Sequence, residues 1–139
     1  MSSKLMDYFN KQPRLGTLST SNKDGMVNSA YFGSPYMVDE RTIIMGLTMN
    51  RTLFNLQENP NAVFMIMEPG ETMTDWKGVR IYVKMTELSR AGEKLEKMKA
   101  QIASAAGETA AKMIYAALTF EVQEIRPLAD FGQGWEKSI

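Results

Sequence analysis

The sequence predicts a small, mostly-β fold with flanking helices, in which about six antiparallel strands roll into a closed or split barrel. Two observations point there. Runs of alternating or β-branched apolar residues recur along the chain, and most connections between them are short. Short connections favour antiparallel neighbours over a parallel, doubly wound sheet. The length of 139 residues suits one ordinary domain, so residues 1–139 read as a single unit. Closing the sheet removes its exposed edges.

The elements follow in order. Residues 2–12 read as a short helix capped by Ser2 or Ser3, with Leu5, Met6 and Phe9 on one face and Pro13 ending it. Residues 14–21 alternate as a weak strand. Asn22-Lys23-Asp24-Gly25 is a hairpin turn, because Asp-Gly tolerates the positive φ such turns need, and residues 26–32 return as the second strand. Gly33-Ser34-Pro35 breaks the pattern, and Val38-Asp39-Glu40-Arg41 reads as another turn. Residues 42–48 form a buried strand in which Gly46 leaves one position open. Residues 50–59 look helical: Asn50 caps, Leu53, Phe54 and Leu56 are apolar, and Asn59-Pro60 stops the run. Residues 62–67 are the most apolar stretch and read as a core strand; a loop and a strand over 79–88 follow. Residues 89–106 are the longest helix candidate, striped by Leu95, Met98, Ile102 and Ala105 and stopped by Gly107. Residues 108–115 continue as a second short helix. In 118–125, Leu118, Phe120 and Val122 point one way, as the last strand requires. The polar tail after Pro127 still carries Phe131 and Trp135.

Composition narrows the chemistry. Sixteen basic and sixteen acidic side chains balance to zero, which argues against nucleic acid as a partner. No apolar run approaches the roughly 20 residues a membrane helix needs, and the charged N-terminus is unlike a signal peptide, so the expected location is the cytoplasm. There is no Cys and no His. Disulfides, thiolate nucleophiles, a Ser-His-Asp site and the usual metal ligands are all excluded, and no metal site is expected. If the chain is an enzyme, an organic cofactor carries the reactive atoms.

Three segments stand out. In residues 46–56 a strand ends, a polar turn follows and a helix begins at once. That helix start offers free N–H groups and a positive dipole end, to which Arg51 adds a guanidinium fork and Thr52 a hydroxyl. Spacing alone favours an ordinary capped helix with Arg51 in solvent, since helix starts of this composition are common. In residues 26–35, Asn28, Ser29 and Ala30 make a strand on which a flat ring can lie close to the backbone, although taken alone the segment favours a plain hairpin strand with a solvated polar face. Trp76 and Trp135 lie in polar, Gly-containing segments, where a large aromatic packs on a partner, a ligand or the barrel's own end. The twelve Met residues read as core filling.

Taken together, these segments resemble the FMN-binding split-barrel family related to pyridoxamine 5′-phosphate oxidase. The resemblance runs from Leu5 to Leu88. It rests on a second hairpin strand like VNSAYF, on Arg51-Thr52-Leu53-Phe54-Asn55-Leu56 at the helix start, and on Asn59-Pro60-Asn61-Ala62-Val63 leading into the next strand. It implies a six-stranded antiparallel split barrel of FMN-binding type. Arg51 and Thr52 would hold the phosphate, with Asn55 on the ribityl chain or orienting the phosphate loop. Gly46, Leu47, Thr48 and Met49 would lie along the ribityl chain and ring, and Asn28, Ser29 and Ala30 would face the ring's polar edge. The family implies a homodimer with the cofactor at the subunit boundary, where Trp76 or Trp135 would cover it from the second copy. The implied activity is a flavin-dependent reductase acting on a small molecule, with no catalytic residue assigned. The rival readings are a non-catalytic electron-transfer partner and a deazaflavin F420-dependent reductase. Haem is disfavoured by the lack of His and Cys. The chain departs from a full oxidase in length and in lacking a second basic cluster for a substrate phosphate.

Overall fold

The computed structural model describes residues 3–139. Helix α1 (Lys4–Asn10) is capped by the Ser3 side chain, which accepts from the Met6 N–H. Strands β1 (Leu15–Ser21) and β2 (Val27–Tyr31) form the expected hairpin. Its turn places Gly25 at φ 84°, and the Asn22 side-chain oxygen accepts from the N–H groups of Asp24 and Met26. Strands β3 (Tyr36–Asp39) and β4 (Thr42–Leu47) form a second hairpin. Helix α2 (Arg51–Glu58), strands β5 (Asn61–Glu68) and β6 (Lys77–Ser89), helices α3 (Glu93–Ala106) and α4 (Glu108–Lys112), and strand β7 (Ala116–Pro127) complete the order. A single 3₁₀ turn, Trp135–Lys137, lies near the C-terminus.

All pairings are antiparallel, in one sheet ordered β2-β1-β5-β6-β7-β4-β3. The edge strands β2 and β3 are consecutive in the chain, joined by residues 32–35 alone. Seven strands laid flat would separate those edges by ~29 Å. The connection spans at most ~18 Å. The sheet must therefore roll, and bulges in β6–β7 between Tyr82 and Val83 and between Met85 and Glu87 bend its longest ladder.

Helix α1 closes the seam. The Asn10 side-chain amide donates to the Met37 carbonyl at 2.9 Å and accepts from the Met37 N–H at 2.8 Å, so it pairs with edge strand β3 as another strand would. The Arg14 guanidinium donates to the carbonyls of Phe9, Gly33 and Pro35, tying α1 to the loop between the two edges. Burial of Arg14 holds its pKa below the ordinary arginine value.

Seven strands replace the expected six, and β3 is the addition. Its four residues are too few to display alternation, and residues 38–41 carry turn-forming types. The actual turn is Glu40-Arg41 alone, fixed by the Arg41 N–H donating to the Asp39 carboxylate. The core strand expected over 62–67 is buried on one face only: Phe64 and Ile66 point inward, while Val63, Met65 and Met67 are half-buried on the outer wall.

Inside the barrel, Phe9, Phe64 and Phe120 stack edge-to-face, with centroids 5.8 Å and 5.5 Å apart. Leu18, Ile43, Met45, Ile81 and Leu118 fill around them, and Leu53 and Leu56 of α2 close one end. Outside, α3 packs Leu95, Met98 and Ile102 on β4 and β7. Gly46 permits this, since a Cβ there would lie 2.9 Å from both Met98 and Ile102.

The Tyr8 hydroxyl is buried without a hydrogen bond of normal geometry. Burial first, and then the neighbouring Glu68 carboxylate, hold this phenol well above its ordinary pKa. The folded pKa exceeds the unfolded one, so the stabilisation is complete below the unfolded value and fades as pH rises from about 10 upward. Tyr8→Phe should therefore flatten the alkaline fall of Tm above about pH 10. An unchanged alkaline limb would show that Tyr8 has no part in it.

Candidate functional site

Strand β4 ends at Leu47, whose carbonyl accepts from the Tyr115 N–H, and residues 48–50 lead into α2. Asn50 caps that helix as its sequence suggests. Its side-chain oxygen accepts from the Leu53 N–H at 2.9 Å, its carbonyl accepts from the Phe54 N–H, and its amide donates to Thr48 Oγ1 at 3.2 Å. The N–H groups of Arg51 and Thr52 keep no partner among the described residues. Arg51 is exposed and makes no ion pair among the described residues. Two free N–H donors, the positive end of the helix dipole and a residue with an uncommitted guanidinium thus share one helix start, and these are the donor types an oxyanion cradle uses.

The structure divides the expected site residues into groups. Arg51 and Met49 face solvent at the helix start, whereas Thr52, only 2% exposed, points back toward the β1–β2 hairpin. There the Asn28 amide donates to the Thr52 hydroxyl at 3.5 Å, and the buried Asn55 amide donates to Thr20 Oγ1 at 3.1 Å. Asn28 and Ala30 lie on the inner side of β2, and Ser29 on the outer side, hydrogen-bonded to Ser19. Leu47 belongs to the core, and Thr48 is tied to the cap. The bare α-carbon of Gly46 faces α3 and its carbonyl accepts from Ser34, so its small size is explained by packing.

The two tryptophans separate. Trp135 is half-buried against the chain's own core. Trp76, 41% exposed, lines an open cavity of about 500 Å³ with Met65, Met67, Met73, Leu128 and Phe131 on the outer wall. Asp75 shapes the loop beside it by accepting from the N–H groups of Glu71 and Thr72, and these bonds, Thr72's first, hold its carboxyl below the usual range. Asp130 pins the tail by bonding Arg80 at 2.6 Å and Arg126 at 2.9 Å, and these partners, Arg126 first, lower its pKa. Register places cavity and cradle apart. Leu15 pairs with Met67 near the cavity, and Thr20 pairs with Ala62 near the cradle, ~17 Å along the strands.

The sequence assigns no role to Thr20, Met73 or Phe131. Thr20 has a signal, since it is the polar member of the inward Gly16-Leu18-Thr20 face. Met73 and Phe131 sit in loops without periodicity and give none.

Exposed apolar side chains gather at both places. Val27 is 82% exposed and shares the outer side of β2 with Tyr31, near Met26, and Met73 is 92% exposed at the cavity.

A rolled, wholly antiparallel sheet whose seam is closed by a helix defines a split-barrel protein. The family model described as pyridoxamine 5′-phosphate oxidase matches residues 3–129, so the chain belongs to that family. No curated protein sequence matches it. Among solved structures, it is similar to an FMN-binding protein from Syntrophomonas wolfei, with 24% identity and a TM-score of 0.79 over 92% of this chain and 86% of that one. It also resembles HutZ, the haem storage protein from Vibrio cholerae, with 18% identity and a TM-score of 0.65 over 90% and 94% of the two chains. An F420 reductase matches with 11% identity and a TM-score of 0.64 over 88% and 97%. These likenesses show the fold. Among the described residues no helix is long and apolar enough to cross a membrane.

Proposed function

We propose that this protein is an FMN-binding oxidoreductase that works as a homodimer in the cytoplasm, without nucleic-acid or membrane partners. The observation that carries the reading is the uncommitted donor set at the start of α2: two free N–H groups and the Arg51 guanidinium. A phosphate monoester satisfies these donors, and FMN carries one where riboflavin does not. When bound, FMN supplies hydride or single-electron transfer at its ring. The chain's own part is to bind and shield. Arg51 and the N–H groups hold the phosphate, Thr52 gives the cradle a polar floor, and the backbone of β2 at Asn28, Ser29 and Ala30 lies along the ring edge. Residues 46–49 would hold the ribityl chain through their backbone, and Asn55, bonded to Thr20, would orient the phosphate loop. A second copy covers the apolar outer side of β2 and presents Trp76 to the ring. Trp135 then serves its own barrel end. No acid–base residue is needed, in keeping with the lack of His and Cys.

An absorbance spectrum of the purified protein, before and after incubation with FMN, tests the cofactor. Bands near ~450 nm that survive gel filtration support FMN. A retained band near ~420 nm points instead to deazaflavin or haem on this fold, and a colourless protein that releases added FMN contradicts the proposal. Saturable oxidation of a pyridine nucleotide by the loaded protein supports an enzyme. A cofactor reduced by dithionite alone favours an electron-transfer partner.

A further inference from the structure

Helix α2 meets the β1–β2 hairpin through four polar side chains, although Leu53 and Leu56 of the same helix pack into the apolar core. Thr20 and Asn28 are cross-strand partners, and Thr52 and Asn55 lie one turn apart on the helix. Two neighbours on the hairpin therefore face two on the helix. Thr20, Thr52 and Asn55 are 4%, 2% and 6% exposed, so the layer is inside the molecule. Burying such groups is less favourable than an apolar contact unless the bonds between them are made, and those bonds are directional. An apolar contact lets a helix slide and rotate; a hydrogen-bonded layer selects one orientation.

Resting on the FMN reading above, we infer that Thr20 is a positioning residue for the phosphate cradle. Its hydroxyl oxygen accepts from Asn55 and fixes the rotation of α2 about its axis. Asn28 acts in the same way on Thr52. Arg51 and the two free N–H groups are next along the helix, so this rotation decides where they point. Thr20 itself touches no phosphate.

The test compares FMN and riboflavin, which differ only by the phosphate. Thr20→Val keeps the branched shape and removes the oxygen. It should raise the Kd for FMN about tenfold, leave that for riboflavin unchanged, and be rescued by Thr20→Ser. The double variant Thr20→Val/Asn55→Leu removes the stranded Asn55 donor as well. It should keep a near-native Tm and still show the FMN-specific loss. Thr20→Val with the wild-type preference for FMN, or equal loss of both flavins, overturns the inference and leaves the cofactor reading standing. A wild-type protein that binds both flavins equally overturns the phosphate reading itself, and this inference with it.

Discussion

Replacing Arg51 by Ala should weaken FMN binding about 30-fold and leave riboflavin binding within about twofold. Arg51 has no acidic partner among the described residues, so removing it breaks nothing in the apo fold. It stands at the positive end of α2, where two N–H donors already favour an anion. A bond between a guanidinium and a phosphate is worth about 1.5–3 kcal/mol, and all of it falls on the ligand that carries phosphate. Arg51→Lys should lie between, because the charge remains while the two-pronged geometry is lost. Raising salt should narrow the difference between wild type and Arg51→Ala, since the site is exposed. Calorimetric titration of both flavins settles the point. Equal losses for FMN and riboflavin would show that Arg51 does not meet the phosphate.

The largest effect on stability should come from Phe64→Ala, at about 3–5 kcal/mol. Phe64 is the middle ring of three, edge-to-face with Phe9 from the seam helix and with Phe120 from β7, two strands along the sheet. Deleting it opens a cavity and removes both aromatic contacts. Total stability for a domain of this size is about 5–15 kcal/mol, so this one change takes a large share of it. The urea midpoint should fall with little change in slope. A shift worth less than about 1 kcal/mol would mean that the barrel wall collapses onto the gap and that the ring column is not the centre of the fold.

Much of this fold is legible in the sequence because the relevant signals are local. Asn22-Lys23-Asp24-Gly25 makes its turn with its own side chains, Asn50 caps α2, and Gly107, at φ 97°, stops α3. The gap left by Gly46 is filled as an open position should be, by a helix lying across it. Strand β3 escaped because its strand character comes from elsewhere, from pairing with β4 and from the Asn10 side chain bonded to Met37. Propensity at Val38-Asp39 was overridden by tertiary contacts.

The site divides along the same line. The helix start at Asn50-Arg51-Thr52 announces itself because cap, charge and hydroxyl are adjacent in sequence. The layer beneath it does not, since Thr20 and Asn55 are 35 residues apart and meet only when the hairpin folds onto α2. Trp76 and Trp135 look alike as aromatics among polar, Gly-containing neighbours. Only the folded tail separates them, with Ser138 bonding Gly78 and Leu128 and so laying Trp135 against the core.

On the proposed function, FMN binds between two copies of this chain, with its phosphate on α2. Gel filtration with in-line light scattering and absorbance at ~450 nm tests all of it in one run on the FMN-loaded protein. The expected result is flavin absorbance under a peak of twice the 15.7 kDa chain mass. For Arg51→Ala at limiting FMN, the absorbance should disappear from that peak. Flavin co-eluting with a peak of single-chain mass would contradict the shared site, and flavin retained equally by Arg51→Ala would contradict the phosphate cradle.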